Sequence, residues 1–253
     1  MREASVGYQC PECVREGAAQ VRQPRTSFGG QLTSGNALVT MALIAINVVF
    51  FVVARATDGI QGEFVRRTAL FTDIDLPRAS LEGVAQGSYW QLVTSTFLHV
   101  DFLHIAFNMI GLWIFGSFLE SQLGRWRYLA LYLLTGLAGS VTIYLLFDGP
   151  GYSLGASGSV FGLFGAALVI LLRQRRDVTQ LLVLLALNLA ITFTVPDVSW
   201  QAHIGGLVSG LAMGAGFAYA PRQHRTLVAA AMVTALALLC VALVALRTAA
   251  LTG

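Results

Sequence analysis

The sequence predicts an all-α membrane protein with seven membrane-spanning helices. The chain is 56% hydrophobic and only 11% charged, whereas about a quarter of the residues in a soluble domain are charged. The charges lie outside seven long apolar windows, each close to the roughly 20 residues that a helix needs to cross a bilayer. Lipid offers no hydrogen-bond partners to a bare backbone, so each window should be helical. The windows are residues 37–54, 102–119, 128–147, 154–172, 178–196, 200–221 and 226–246.

The arginines predict how the chain is oriented in the cell membrane. There is no lysine, so all sixteen basic residues are arginines. With a cytoplasmic N-terminus, eleven of them lie on the cytoplasmic side and five on the external side. The positive-inside rule therefore favours an N-in, C-out topology. The net charge of +3 reflects this asymmetry and does not indicate a nucleic-acid-binding surface.

The windows divide the chain into three parts. Residues 1–35 form a polar cytoplasmic segment without periodicity, and residues 36–221 contain six helices and a long external loop at about 55–100. Residues 222–253 contain the seventh helix and a C-terminal tail. The first window begins too far from the N-terminus, and has the wrong flanks, for a cleaved signal peptide.

The N-terminal segment contains a CxxC pair, Cys10 and Cys13, which could form half of a zinc site. A structural zinc site has four ligands, but the third cysteine, Cys240, lies inside the last window and the histidines are distant in sequence. The pattern favours a turn without metal. A zinc ion shared between two chains, or a longer N-terminus, is the alternative.

Four polar side chains inside the windows are candidates for function: His104, Asn108, Ser157 and His203. Polar groups are costly at membrane depth and commonly mark functional sites. In the N-in topology the even-numbered windows all run from outside to inside, which places these four at similar depth near the external surface. His104 and Asn108 share one helical face because they are four residues apart. Asn188, in the fifth window, is expected to bond between helices.

Glycines predict that the fourth and sixth windows pack closely. Small residues at four-residue intervals let two helix backbones approach each other in lipid. The spacing is therefore expected to bring Ser157 within hydrogen-bond reach of His203. The glycines at this interval are Gly158 and Gly162 in the fourth window, and Gly206, Gly210 and Gly214 in the sixth.

These residue types suit acyl transfer. A serine hydroxyl becomes a nucleophile when an adjacent base takes its proton, and a neutral imidazole is suited to that task near pH 7. Ser157 and His203 are therefore expected to form a dyad. A triad is not expected, since Asp148 lies in a loop and Asp197 lies near the end of the fifth window.

The same region offers donors for a developing oxyanion. Ser157 lies at the start of its predicted helix, where backbone N–H groups are unpaired and the helix dipole favours negative charge. The Asn108 amide and the His104 ring could donate as well. Gly155 and Gly158 would let the chain bend so that these donors converge.

Three motifs resemble those of the rhomboid intramembrane serine proteases. Residues 155–158, Gly-Ala-Ser-Gly, look like the GxSG motif, and residues 202–210 resemble the AHxxGxxxG helix. Residues 97–109 are similar to the paired-histidine and HxxxN element, in which His99 is the first histidine. The resemblance covers about residues 90–220 in the family's order.

The resemblance implies a six-helix core with an extra C-terminal helix, the six-plus-one subtype, and no metal or cofactor. It implies that Ser157 is the nucleophile and His203 its base, that Asn108, His104 and the Ser157 N–H line the oxyanion hole, and that Phe161 packs on the His203 ring. The supporting residues would be Gly155, Gly158, Phe161, Gly206, Gly210 and His99. The implied partners are transmembrane protein substrates and membrane lipid, with the oligomeric state open.

One position departs from the family pattern: Trp90-Gln91 stands where Trp-Arg is frequent. The expected function is an intramembrane serine endopeptidase whose active site opens to the external side. The alternative is a catalytically silent rhomboid-like protein that binds or escorts transmembrane helices, and a small-solute transporter is a third possibility. Retention of both Ser157 and His203 favours the protease.

Overall fold

The chain is a multi-pass membrane protein of the all-α class, and each of the seven apolar windows contains a helix. The computed structural model describes residues 2–3, 7–20, 25–30, 37–72, 82–146, 152–196 and 198–253. Four helical segments are long and apolar enough to cross a membrane: residues 38–56, 102–123, 125–146 and 225–252. The remaining three windows hold shorter or more glycine-rich helices.

The described helices follow one another along the chain with short connections. They are α1 (Pro11–Gln20), α2 (Leu38–Ala56), α3 (Glu63–Thr68), α4 (Gln91–Thr94), α5 (Phe102–Gly111), α6 (Ser117–Leu123), α7 (Arg125–Leu146), α8 (Ser157–Arg173), α9 (Thr179–Thr194), α10 (Trp200–Tyr219) and α11 (Arg225–Thr252). Short 3₁₀ segments occur at Gly59–Gln61, Val84–Gln86 and Ser95–Phe97. The strands are β1 (Arg2–Glu3), β2 (Tyr8–Gln9), β3 (Leu70–Phe71) and β4 (Tyr152–Ser153), paired as β1–β2 and β3–β4, both antiparallel.

The centre of the molecule is formed by α7, α8 and α10. The apolar window of α7 is 56% buried, against 17% for that of α11. Tyr128, Tyr132 and Tyr144 of α7 are all fully buried. Candidate site residues on α8 and α10 are therefore held against the most enclosed helix of the bundle.

Glycines let α8 and α10 touch backbone to backbone, as their spacing predicts. A Cβ atom at Gly206 would lie 2.0 Å from the Gly158 carbonyl oxygen, and one at Gly210 would lie 2.1 Å from the Gly162 carbonyl oxygen. Both distances are far inside van der Waals contact. Larger residues at these positions would force the two helices apart.

The second apolar window is one continuous helical segment with a π-helical stretch at Leu112–Gly116, between α5 and α6. The segment ends with Glu120, whose side chain is fully buried. One carboxylate oxygen accepts from the Val39 N–H (3.1 Å), and the other accepts from the N–H and the hydroxyl of Thr40 (both 2.9 Å). Glu120 thus satisfies N–H groups of the first turn of α2, which have no partner within their own helix.

The long loop after α2 is anchored by Gln91, the residue that departs from the family pattern. The buried Gln91 amide accepts from the Phe71 N–H (3.1 Å) and donates to the Glu82 carbonyl (2.9 Å). The Trp90 indole donates to the Arg67 carbonyl (2.8 Å). A neutral amide therefore ties the described parts of the loop to α4.

The N-terminal segment differs from the prediction, because it contains the ten-residue helix α1. Its start has local signals: Pro11 occupies the first helical position and Glu12 lies in the first turn, where a negative charge suits the helix dipole. Cys10 and Cys13 are exposed free thiols. In the described part of the chain, no group of three or more His, Cys, Asp or Glu residues is placed to hold a metal ion.

The last helix, α11, packs on α7 through a few contacts. Cys240 and Val244 are buried in a cluster with residues of α7. The hydroxyls of Tyr144 and Thr248 are 2.8 Å apart and share a hydrogen bond. Most of the remaining α11 surface is exposed, which agrees with its featureless apolar sequence.

Candidate active site

The turn before α8 fixes where the candidate nucleophile lies. Gly155 has a φ of +139°, a backbone conformation that favours glycine, and its N–H donates to the Ser95 carbonyl (2.9 Å). A Cβ atom here would lie 2.9 Å from both Cε1 and Nε2 of His104. The imidazole of His104 therefore lies directly against this turn, two residues before Ser157.

The two serines of the motif have different environments. Ser159 is completely buried, and its hydroxyl donates to the Tyr132 carbonyl of α7 (2.9 Å). Ser157 is only partly buried, and its hydroxyl makes no hydrogen bond with another described residue. Ser159 therefore stabilises the helix packing, while Ser157 keeps a free hydroxyl at the start of α8.

His203 lies in the first turn of α10, and its side chain is stacked on Phe161. The two ring centroids are 4.1 Å apart and the planes are 12° from parallel. Phe161 follows Ser157 by one helical turn, so it lies on the same face of α8. The stack, together with the contact between Gly158 and Gly206, places His203 alongside the face that carries Ser157.

The expected hydrogen bond between Ser157 and His203 is absent from the described contacts. The imidazole is instead held through its other nitrogen: Nδ1 lies 2.6 Å from the hydroxyl oxygen of Thr192, on α9. In unliganded enzymes, catalytic hydrogen bonds are often long and tighten only when substrate binds. The arrangement brings the two side chains to neighbouring surfaces without joining them.

Thr192 was missed by the sequence reasoning, although it determines the state of His203. Its hydroxyl is also 2.7 Å from the carbonyl oxygen of Asn188, which can only accept. We assign the single hydroxyl hydrogen to Asn188, so that the Thr192 oxygen accepts from Nδ1–H of His203. This tautomer leaves Nε2 with a lone pair, as a general base requires.

Depth was the signal that could have identified Thr192. It lies near the outer end of the fifth window, at the level predicted for His203. The prediction for Asn188 was wrong, because its amide donates to the Leu184 carbonyl of the same helix (2.8 Å) and not to a neighbouring helix. Its short side chain reaches the carbonyl one turn earlier more readily than a neighbour.

His104 and Asn108 are arranged as donors next to the Gly155 turn. Asp101 caps α5 by accepting from the His104 N–H (2.8 Å), and the Val100 N–H points to Nδ1 of the His104 ring (3.4 Å). Nδ1 therefore carries the lone pair of a neutral ring, and Nε2, the atom beside Gly155, carries the hydrogen. The Asn108 amide donates one hydrogen to the His104 carbonyl (2.9 Å) and has a second available.

His99 supports His104 from behind. The two rings meet edge to face with centroids 5.0 Å apart. His99 is 2% exposed, and burial, followed by the positive charge that His104 can carry, lowers the pKa of His99 to about 3. Its ring is therefore neutral near pH 7. The acids considered for a triad, Asp148 and Asp197, lie outside the described residues.

A family comparison matches the same part of the chain. The family model described as "Rhomboid domain" matches residues 86–220, which include all of the candidate site residues on α5, α8 and α10. The chain is 35% identical over 161 residues to the rhomboid protease GluP of Bacillus subtilis, an alignment that covers 61% of this chain and 31% of GluP.

Other relatives show similar identity over shorter stretches. YdcA of Bacillus subtilis, whose name also places it with the rhomboid proteases, is 34% identical over 133 residues, covering 51% of this chain and 67% of the relative. RHOMBOID-like protein 5 of Arabidopsis thaliana is 38% identical over 140 residues, covering 52% and 45%. The chain thus matches about a third of GluP and under half of the plant protein.

Proposed function

Because the chain belongs to the rhomboid family, we propose that it is an intramembrane serine endopeptidase, which cleaves peptide bonds in or near transmembrane segments of other membrane proteins. The names of its bacterial relatives describe proteases. The observation that supports this function most is the stack of Phe161 on His203, with Ser157 one turn away on the same face of α8.

In the proposed mechanism Ser157 attacks the scissile carbonyl carbon and His203 is the general base. Nε2 of His203 takes the hydroxyl proton as the bond to carbon forms, and returns it to the leaving amine when the peptide C–N bond breaks. Water then attacks the acyl group on Ser157 with the same help. Thr192 keeps Nδ1 protonated throughout, because its oxygen accepts that hydrogen.

The developing oxyanion is stabilised by three donors. The Ser157 N–H is unpaired at the start of α8, Nε2–H of His104 lies beside Gly155, and Asn108 has one amide hydrogen not used within α5. These donors are fixed before the reaction begins, which is what makes such groups effective. No step requires a metal or a cofactor.

We place the active site at the external side of the membrane, with seven spans and a cytoplasmic N-terminus. The arginine distribution supports this topology. In the same proposal, residues 1–35 are a cytoplasmic segment, residues 36–221 are the protease core, and residues 222–253 add the seventh helix. Substrates reach the site as transmembrane helices that unwind locally.

Cleavage of a generic transmembrane substrate by the purified protein in liposomes tests the function. Wild type is expected to cleave it and Ser157→Ala is expected to be inactive. Ser159→Ala is the matched control, because it removes the neighbouring, structural hydroxyl and should retain cleavage. A fluorophosphonate probe should label wild type and Ser159→Ala but not Ser157→Ala.

Two results would contradict the proposal. Equal cleavage by wild type and Ser157→Ala would exclude the serine mechanism. A correctly folded wild type that neither cleaves several substrates nor reacts with the probe would favour a silent rhomboid-like protein that binds transmembrane helices.

A further inference from the structure

A cavity of about 790 Å³ lies between α2, the start of α7 and the start of α11, away from the candidate active site. Gly139 of α7 packs against Ala202 and Gly158, and so marks the level of that site. Arg125, which lines the cavity, is fourteen residues earlier on α7, or roughly 20 Å at 1.5 Å per residue. The proposed reaction does not use this cavity.

Three arginine side chains converge at the polar end of the cavity. A Cβ atom at Gly29 would lie 3.1 Å from Cδ of Arg225 and 3.2 Å from Nη1 of Arg127. Arg25 lines the same end and donates to the Gly29 carbonyl (3.4 Å). Such a concentration of like charge is unfavourable unless an anion offsets it.

No anion within the described part of the protein offsets these charges. The described cavity lining contains no Asp or Glu, and Arg25, Arg127 and Arg225 form no ion pair with any described residue. Nε of Arg225 is buried and makes no hydrogen bond to a described group. The guanidinium groups therefore have donors available for a ligand.

The other end of the cavity is apolar and open to the lipid side. One face of α2 forms its wall, and the large side chains at both ends of that face are exposed, Leu38 by 56% and Ile46 by 42%. Trp126, which is 78% exposed, lies beside the arginines. Tryptophan is enriched where a membrane protein meets the headgroup region. The α2 residues of this wall are Leu38, Val39, Ala42, Leu43 and Ile46.

We propose that this cavity binds one anionic phospholipid, with its phosphate against Arg25, Arg127 and Arg225 and an acyl chain along α2. Arginine is suited to the phosphate because its planar fork can donate two hydrogen bonds to one group. The proposed topology places the arginines at the cytoplasmic leaflet, where anionic lipids attract basic groups. A zwitterionic headgroup would bring a positive charge into a site that already has three.

Thermal unfolding of the full-length protein in a neutral detergent tests this site without depending on protease activity. Palmitoyl-oleoyl phosphatidylglycerol is titrated beside the phosphatidylcholine with the same acyl chains and beside inorganic phosphate. The anionic lipid is expected to raise Tm at a concentration at least about tenfold lower than phosphatidylcholine. Inorganic phosphate, which has no acyl chain, is expected to give little stabilisation.

Three variants distinguish this cavity from general surface charge. Arg225→Gln should raise the phosphatidylglycerol concentration needed for half of the effect about tenfold. Arg222→Gln, an exposed arginine three residues earlier, should leave it unchanged. Ala42→Phe keeps all the charges and fills the apolar end, at an exposed position that should tolerate it, and should also weaken the lipid effect.

The opposite results would overturn the proposal. An equal response of Arg225→Gln and Arg222→Gln to phosphatidylglycerol would assign the effect to overall charge. An equal effect of phosphatidylcholine would exclude recognition of the headgroup. Stabilisation by inorganic phosphate as strong as that by the lipid would indicate a simple anion site.

Discussion

The hydroxyl oxygen of Thr192 lies 2.6 Å from Nδ1 of His203, which links α9 to the first turn of α10. The same oxygen lies 2.7 Å from the Asn188 carbonyl. The pair of contacts fixes both the plane of the imidazole and the nitrogen that carries its hydrogen. Phe161 covers one face of the ring, so the orientation of His203 is set from two directions.

Thr192→Val is therefore expected to slow cleavage, because the imidazole loses its acceptor and can adopt the wrong tautomer. A hydrogen bond of this kind contributes about 1 kcal/mol, which corresponds to a fall in kcat of roughly five- to tenfold. Thr192→Ser keeps the hydroxyl and should restore most of the rate. Thr194→Val is the matched control, because the exposed Thr194 hydroxyl bonds only to the Ala190 carbonyl of its own helix.

The histidine ring nitrogens provide a readout of Thr192 that does not depend on activity. In ¹⁵N-histidine-labelled protein, the His203 signals should show a protonated Nδ1 in wild type and in Thr192→Ser. Thr192→Val should show a mixture of tautomers. An unchanged tautomer and an unchanged kcat in Thr192→Val would mean that the hydroxyl only fills space.

Gly206→Ala is expected to destabilise the protein and to inactivate it. The new methyl group would lie 2.0 Å from the Gly158 carbonyl oxygen, which is backbone and cannot rotate away. Overpacking of this kind costs about 1–3 kcal/mol, and separating α8 from α10 would also separate Ser157 from His203. Thermal unfolding and cleavage should fall together.

Gly216→Ala on the same helix is the control for this substitution. Its added methyl would meet the flexible side chain of Met232, 2.8 Å from Cγ. That side chain can shift, so stability and cleavage should stay near wild type. A Gly206→Ala protein as stable and active as this control would show that α8 and α10 can separate without consequence.

Glu120→Gln is expected to lower stability without touching the candidate active site. The amide NH₂ can replace only one carboxylate oxygen as an acceptor, so the N–H of Val39 or of Thr40 would lose its partner. A buried unsatisfied group costs about 1–3 kcal/mol. Glu63→Gln is the control, because Glu63 is exposed and pairs only with Arg66 and Arg67, and such surface pairs contribute little. Chemical denaturation that gives equal losses for the two variants would contradict this role of Glu120.

His99 is expected to make stability depend on pH. Burial holds its pKa at about 3 in the folded protein, against a reference value of 6.5. As the pH falls below 6.5, the unfolded chain binds the proton first, so the stability present above that pH is lost progressively toward pH 3. His99→Phe, which cannot titrate, should lose less Tm between pH 7.5 and pH 5 than wild type does.

The exposed His224 provides the control for the pH experiment. His224→Gln removes a histidine without changing the interior, and its Tm should fall with pH as that of wild type does. If His99→Phe and His224→Gln lose the same Tm on acidification, burial of His99 does not produce the effect.

Much of the architecture could be predicted from the sequence because membrane helices leave strong signals. Charge-free windows located all seven helices, and the four-residue glycine spacing identified the contact between Gly158 and Gly206. These signals are local or periodic, so a single sequence contains them. The motif around Ser157 likewise identified the family that the comparison shows.

Other parts of the site could not be predicted, because they depend on contacts between distant segments. A threonine in an apolar helix has no distinctive pattern, and the role of Thr192 depends on the side chain that faces it from α10. Glu120 lies at the end of its window, and nothing local indicates that it binds the first turn of α2. The pairing of β3 with β4 joins residues 70–71 to 152–153, and neither two-residue segment has a period to detect.

Helix α9 buries few of its side chains, and Thr192 is one of them, with Leu181 and Leu185. The seam between α8 and α10, in contrast, is locked by backbone contact. A displacement of α9 by the length of a single hydrogen bond would free the imidazole to rotate while leaving that seam closed. The readiness of His203 to accept a proton is therefore set by where a loosely held outer helix rests.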